Sequence, residues 1–461
     1  MSAATSVEAR PLRRYQTEAI RGVFGKWREG VRRVVLVLPT GTGKTRTAAE
    51  VVRRAVAKSK RVLWLAHRTE LLDQTCATLL EYGLPIGVVA ASSCFEPNRD
   101  ASVQVASIQT LIAREVRPPA DLIVWDECHH ASEAAEEWSS LLLAYPDVHM
   151  LGLTATPERG DGSGLAPIFT GLVVGISVRQ ATLDGHLVPC EVVHPEKLLE
   201  SGHLSQHPLE AYRQHAPGTQ ALLFAKSVEE AQRYASEFTA AGVRTVCVHA
   251  KMSDDERAAA VAAFRAGTVR VLSNVYIFTE GTDLTMASTC ILARGASTAG
   301  IYLQMVGRVL RPHPGKTRAT LIDLRGVSRP EVHGPPEDDR VFSLDGRGIS
   351  KAEAKCKVCG SLIVSYPCGE CGYEPEAGDG PGESIVDDVR MIRFARKLAE
   401  SREQRWETCV RWVRAAVAKQ YKIVSVRYKW RAVYQEELPF SWLRKAEEIV
   451  CHGVVDDGAP S

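Results

Sequence analysis

Polar and apolar positions in the first third of the chain follow two alternating periods. Short apolar runs fall at residues 34–38, 61–66, 103–107, 122–125 and 150–154. They are rich in Val, Leu and Ile and have the length of buried strands. Between them, residues 46–58 and 69–81 repeat apolar positions every three to four, as an amphipathic helix does. Strands alternating with helices predict a parallel sheet covered on both faces. A second block of the same kind begins near His186. Its strand-like runs are 221–224, 245–249, 269–272, 289–293 and 319–322, separated by helical patterns at 228–241, 254–266 and 301–310. After Asp323 the alternation stops. Residues 329–348 are rich in Pro, Gly and charge and read as a linker or surface loop, and 374–383 as a second linker. Residues 384–450 read as helical, with much Arg and Trp. The expected division is therefore 1–185 and 186–328 for two α/β domains, 350–374 for a cysteine module, and 384–452 for a helical C-terminal region.

Composition narrows the class. The 461 residues are 45% hydrophobic and 24% charged, an ordinary globular profile. Lys plus Arg number 57 against 55 Asp plus Glu, a net +2 that excludes a uniformly basic nucleic-acid coat. The 12 cysteines are too few for a disulfide scaffold at this length. No run approaches the ~18 apolar residues of a membrane span. The first eleven residues lack the apolar core of a signal peptide. These features lead us to expect no membrane association and a reducing, cytoplasmic setting. Charge is segregated, however: residues 390–431 hold 13 basic side chains against three acidic ones. Trp406, Trp412, Tyr421, Tyr428 and Trp430 are interleaved with them. Such a stretch suits single strands or forked ends, where bases stack on aromatics. A small helical domain with an aromatic core gives the same pattern.

Residues 39–45 read PTGTGKT. The short GTGKT form is present, without the first glycine of the longer phosphate-loop pattern. A strand precedes it and a helix follows, so the backbone of Thr40, Gly41, Thr42 and Gly43 can wrap a polyphosphate at a helix N-terminus. Lys44 would reach the β- and γ-phosphates, and the Thr45 hydroxyl would ligate Mg²⁺. Residues 121–130, DLIVWDECHH, end an apolar strand in Asp126 and Glu127. Asp126 would hold Mg²⁺, and Glu127 would polarise an attacking water. An acidic pair capping a helix is the plain alternative.

Cys356, Cys359, Cys368 and Cys371 form two CxxC pairs, with Gly360, Gly369 and Gly372 beside them. Four thiolates at this spacing suit a closed structural Zn²⁺ site. An iron–sulfur cluster and a redox-active pair are the alternatives. The eight remaining cysteines are scattered and read as buried thiols.

The motifs PTGTGKT, DECHH, LTATPER (153–159) and QMVGRVLR (304–311) resemble motifs I, II, III and VI of the superfamily 2 DEAD/DEAH-box (DExH) helicases. RYQ at 14–16 is similar to an adenine-contacting Q motif, which brings in Arg13 and Gln16. AHRTELLDQ (66–74), ASIQTL (106–111), ALLFAKSVEEA (221–231) and NVYIFTEGTD (274–283) resemble motifs Ia, Ib, IV and V. Motif V departs from the family pattern, with Tyr276 where an acidic residue is common and Thr282 where an aromatic is common. The resemblance implies two tandem RecA-like domains with ATP between them. Lys44, Asp126 and Glu127 would come from the first, and Gln304, Arg308 and Arg311 from the second. The three second-domain residues, at i, i+4 and i+7, would share one helix face. Arg308 would be the foremost transition-state guanidinium. Gly281 and Asp283 would complete the nucleotide site, and Thr154 and Thr156 would tie hydrolysis to domain motion. The implied nucleic-acid contacts are His67, Arg68, Ser107, Gln109 and Thr110 in the first domain, and Lys226, Ser227 and Thr279 in the second.

Residues 152–169 and 177–189, with four cysteines directly after the second motor domain, look like the RadD-type branch. That likeness implies a bacterial or phage DNA-dependent ATPase in repair, recombination or replication. Its partners would be DNA, single-strand binding protein and a recombinase. The alternatives are a motor subunit of a restriction or defence system, or a remodelling ATPase, including one on RNA, without strand separation.

Overall fold

The structure is a computed structural model. It describes residues 11–345, 384–385, 389–395 and 440–452, with scattered positions between 406 and 438. Residues 68, 92, 96, 133–142, 160, 161, 167, 198, 200–202 and 277–283 are excepted. The four cysteines at 356–371 thus lie outside the described residues, as do Arg68, Thr279, Gly281 and Asp283.

The first sheet contains β1 (Arg33–Val37), β2 (Val62–Ala66), β3 (Ile86–Val89), β4 (Val103–Ser107), β5 (Leu122–Trp125), β6 (His149–Thr154) and β7 (Gly171–Val174). Its order is β3-β4-β2-β5-β6-β1-β7, with every pair parallel. Successive residues of the central strands enter opposite cores. Val34, Leu36, Val62, Trp64 and Val124 face one, and Val35, Val37, Leu63, Leu65 and Trp125 face the other. This is why these strands read as unbroken apolar runs rather than as alternating ones.

The second sheet runs β11-β12-β10-β13-β14-β8-β16. Its strands are β8 (Cys190–Pro195), β10 (Ala221–Phe224), β11 (Thr245–Val248), β12 (Val271–Asn274), β13 (Thr289–Leu292), β14 (Ala319–Asp323) and β16 (Met391–Ala395). All pairs are parallel except β16, which lies antiparallel on β8. A two-stranded sheet joins β9 (His203–Leu204) to β15 (Ser384–Ile385). Two parallel-sheet α/β domains are therefore present in tandem.

Two expectations need correcting. Residues 384–385 and 391–395 are not helical: they add one strand to each of two sheets. In β16, Arg393 pairs with Glu191 of β8 at 3.0 Å, so this arginine is committed to the sheet edge. Further on, Trp406 and Trp442 meet edge-on with centroids 5.7 Å apart inside a small apolar core. Trp412 packs against the same core, and Tyr421, Tyr428 and Trp430 lie outside the described residues. Nor are residues 329–345 simply a surface loop. Val332 through Glu337 are buried. One guanidinium, Arg340, donates to the carbonyls of His333, Pro335, Pro336 and Asp338. Phe342 and Leu344 pack on the first domain's core, while Glu337 accepts from the backbone N–H of Cys190 in the second, at 2.7 Å. The segment straps one domain to the other. It carries no periodic pattern because charge-assisted bonds to its own carbonyls hold it.

Candidate active site

The helix Lys44–Val56 starts from Gly43, whose φ of +84° needs no side chain. Its first residues, Lys44 and Thr45, border a cavity of about 270 Å³. Gly41, Lys44, Thr45, Asp126 and Glu127 line one wall, and Arg308 and Arg311 line the other. Residues from 39–45 and 121–130 thus meet residues from 304–311 in one space. Thr42 is pinned by its own hydroxyl to the carbonyl of Pro39 at 2.7 Å. The loop is also held from outside: Tyr15 donates to the Thr42 carbonyl at 2.5 Å, and the Gln16 amide to the same carbonyl at 3.3 Å. Gln16 receives the Arg13 backbone N–H at 2.9 Å. In this arrangement Arg13 and Gln16 therefore brace the phosphate loop.

Glu127 sits at φ +47°, a left-handed conformation that a non-glycine residue adopts only where its surroundings enforce it. That turn points its carboxylate toward the Lys44 ammonium, 3.3 Å away. Its other oxygen lies 3.4 Å from His129 Nδ1. His129 extends the chain of contacts. Its Nδ1 is 3.1 Å from the Thr154 hydroxyl, and its Nε2 is 2.8 Å from the Gln304 amide of the other domain. The Thr154 hydroxyl has one proton, which goes to the Thr156 carbonyl at 2.6 Å. His129 Nδ1 is then placed to donate to Thr154, and Nε2 to accept from the Gln304 amide. Neighbouring Cys128 is a buried thiol. Burial first, then the Glu127 and Asp126 carboxylates, push it well above the usual thiol range, which keeps it unreactive.

The helix carrying Gln304 spans Ala299–Gly307. Arg308 caps it in helical conformation one turn after Gln304, whereas Arg311 lies beyond its end. The face at the seam is Gly300, Gln304 and Gly307, which meet Thr156, His129 and Thr40 respectively. Arg311 arrives from beyond the helix end, its stem against Gly41 so closely that a Cβ there would lie 2.7 Å from Arg311 Cγ. Gln74, from the helix Thr69–Glu81, also reaches the cavity. His129 and Gln74 were not singled out from sequence, although both lie within quoted motifs.

Of the implied nucleic-acid contacts, His67, Ser107 and Gln109 converge at the ends of β2 and β4. Gln109 bonds the His67 ring at 3.2 Å and accepts from Ser107 at 2.9 Å. The Thr110 side chain is buried on the inner face of its short helix, which withdraws it from the surface. Lys226 is exposed, and Ser227 caps the helix Val228–Ala240 by accepting from Glu230 N–H.

With this geometry in view, two family profiles match the chain. "Type III restriction enzyme, res subunit" covers residues 10–159, and "Helicase conserved C-terminal domain" covers 203–313. The chain is a superfamily 2 helicase of the DExH type. It is 29% identical over 365 residues to a 51.5 kDa protein of a Lactococcus phage, covering 73% of this chain and 77% of that one. It is 28% identical over 378 residues to IRC3 of Saccharomyces cerevisiae, assigned as an ATP-dependent helicase. That match covers 72% of this chain but 55% of the yeast protein. Among solved structures, a Vibrio vulnificus fragment assigned as the HsdR subunit of a type I restriction enzyme shares the fold. Its TM-score is 0.55 at 20% identity, over 75% of this chain and 72% of that one. As a family member this helicase is a nucleic-acid-dependent ATPase. No described helix is long and apolar enough to cross a membrane.

Proposed function

We propose that this helicase couples ATP hydrolysis to translocation on, or remodelling of, DNA in repair, recombination or replication. The observation that carries it is the cavity that joins Lys44, Asp126 and Glu127 to Arg308 and Arg311 across two domains. In this reading Lys44 holds the phosphates and Glu127 orients the attacking water. The two guanidiniums gather charge on the transferred phosphoryl group, a task for which positioned cations are suited. Thr45 and Asp126 supply hard oxygen donors on the same wall, which would hold Mg²⁺ to offset phosphate charge. Gly281 and Asp283 are assigned to the same nucleotide site by motif alone.

The strand is expected to cross His67, Ser107 and Gln109 on one domain and Lys226 and Ser227 on the other, gripped by its backbone without sequence readout. Comparing ATPase stimulation by single-stranded DNA, duplex DNA and RNA tests this. Stimulation by RNA alone would overturn the DNA assignment. The RadD-type reading adds single-strand binding protein and a recombinase as partners, and the phage relative supports a cytoplasmic setting in a bacterial or phage-infected cell. Cys356, Cys359, Cys368 and Cys371 are proposed to hold one Zn²⁺ per chain. Metal analysis should find stoichiometric zinc, and stoichiometric iron with visible absorbance would overturn that.

A second reading is a motor subunit of a restriction or defence system, supported by the restriction-enzyme profile and the HsdR-type fold match. Nuclease or methylase subunits purifying with the chain would favour it.

A further inference from the structure

Strands β12 and β13 flank β10, so their C-terminal ends form one edge of the second sheet. In parallel α/β sheets, ligands bind outside such ends. Lys226 and Ser227 leave β10 at this edge, Tyr276 follows β12, and Arg294 follows β13. Tyr276 is held at φ +58°, a conformation a bulky residue rarely adopts. Its ring lies 3.4 Å from the Arg294 guanidinium carbon, and its hydroxyl accepts from Arg294 Nη2. Arg294 Nε donates to the carbonyl of Gly295 at 3.2 Å. The remaining nitrogen, Nη1, is buried and meets no acceptor among the described residues.

Buried donors in folded proteins are nearly always satisfied, and a strained backbone persists only where its surroundings enforce it. Here an orphan guanidinium donor and a strained aromatic share one edge with Lys226. Glu230 connects them: its carboxylate receives the Lys226 backbone N–H at 3.1 Å and lies within electrostatic reach of Arg294.

We propose that Arg294, held flat by Tyr276, is a phosphodiester contact for the nucleic-acid strand crossing the second domain. This rests on the reading that the Lys226 edge faces that strand. A guanidinium stacked on an aromatic ring is fixed in one plane, and with Nε and Nη2 already bonded, Nη1 is the donor left for a phosphate oxygen. Tyr276 is a positioning residue. It also occupies the place in motif V where an acidic residue, which would repel phosphate, is common.

The test is fluorescence anisotropy of the full chain with labelled oligothymidylate and oligouridylate at a series of salt concentrations. Each phosphate neutralised on a single strand contributes about 0.7 to the slope of log K against log salt. Arg294→Gln should reduce the slope by about that amount and weaken binding about tenfold at moderate salt on both strands, since both share the phosphodiester. Tyr276→Phe should weaken binding without changing the slope, because the charge stays. Arg294→Lys keeps the charge and should retain the slope while losing affinity, since the planar stack is gone. A wild-type slope for Arg294→Gln, or wild-type affinity for Arg294→Lys, overturns the proposal. Lys226→Gln separates the two levels. If it lowers the slope and Arg294→Gln does not, only the Arg294 contact falls. If neither lowers it, the strand does not follow this edge.

Discussion

Gly307→Ala puts a methyl group into the seam between the motor domains and little else. Gly307 ends the Ala299–Gly307 helix with no left-handed φ, so alanine suits the local backbone. Taken alone, the helix gains up to about 1 kcal/mol from the exchange. Across the seam the outcome reverses. The new Cβ would lie 2.7 Å from Thr40 Cβ and 3.2 Å from both Thr40 Cγ2 and Oγ1. Carbon pairs settle at about 3.5–4.0 Å, so the surfaces must part by roughly 1 Å. Thr40 Cβ belongs to a buried residue at the start of the phosphate loop and cannot swing aside as a long side chain would. The second domain therefore backs away, taking Arg308 and Arg311 off the cavity. Misplacing reacting groups by about 1 Å costs on the order of 100-fold. We expect kcat for ATP hydrolysis with saturating nucleic acid to fall roughly 10- to 100-fold, with a thermal midpoint no lower than wild type. Gly25→Ala is the control, because a Cβ there meets nothing within 4 Å. It should leave kcat unchanged. A kcat for Gly307→Ala within about twofold of wild type would refute the claim that catalysis requires this seam.

Four further substitutions probe the same construction. Glu127→Gln keeps the shape of the turn but removes the carboxylate facing Lys44, so hydrolysis should drop at least about 100-fold while labelled nucleotide still binds; wild-type turnover would sink the assignment. His129→Ala and Gln304→Ala remove two ends of one 2.8 Å bond, so their effects on nucleic-acid-stimulated ATPase should be strongly non-additive in a double-mutant cycle, and simple additivity would show that the bond does not matter. Arg340→Ala strips four carbonyls of the strap of their shared donor, each bond to the charged group being worth about 1.5–3 kcal/mol. Thermal unfolding should show a midpoint lowered by several degrees, and an unchanged midpoint would mean the strap is held by its apolar contacts alone.

What the sequence disclosed, and what it hid, follows from where the determining contacts lie. Residues 103–107 and 122–125 are strands with those limits because an unbroken apolar run is a local signal. Ile86–Val89 and Gly171–Val174 escaped notice because they sit at the two edges of the first sheet, where burial is partial and the run weak. Met391–Ala395 was hidden in an arginine-rich stretch. Its partner, β8, lies almost 200 residues earlier, and nothing local distinguishes five such residues from a turn of helix. The phosphate loop and the Asp126–Glu127 pair were legible because their chemistry is written in adjacent residues. The face of the helix bearing Gln304 is only partly legible, for the opposite reason. Spacing selects Arg308, which caps the helix in helical conformation, and Arg311, which lies beyond its end; Gly300 and Gly307 share that face, and their meaning appears only when Thr156 and Thr40 of the other domain are in place.

Those glycines and the single amide bond suggest why hydrolysis in this arrangement would be conditional rather than constitutive. The first domain brings Lys44, Thr45, Asp126 and Glu127 to the cavity, the set proposed to bind the polyphosphate. Among the described residues lining it, Lys44 is the first domain's one cation, and the other two come from the second domain. Arg308 and Arg311 reach the cavity from the second domain, and beside the cavity the seam closes on small contacts, two glycines against threonines and Gln304 against His129. Contacts of that size fit the two walls together but add little to the closed state, because one hydrogen bond contributes only about 1 kcal/mol. A strand gripping both domains would add its own contacts to the closed state alone and shift the population toward it. The Glu127–His129–Gln304 relay would then sense that closure at the point where water must be oriented. Larger residues at 300 and 307 would hold the cavity open, and a stronger seam would leave hydrolysis running without its strand.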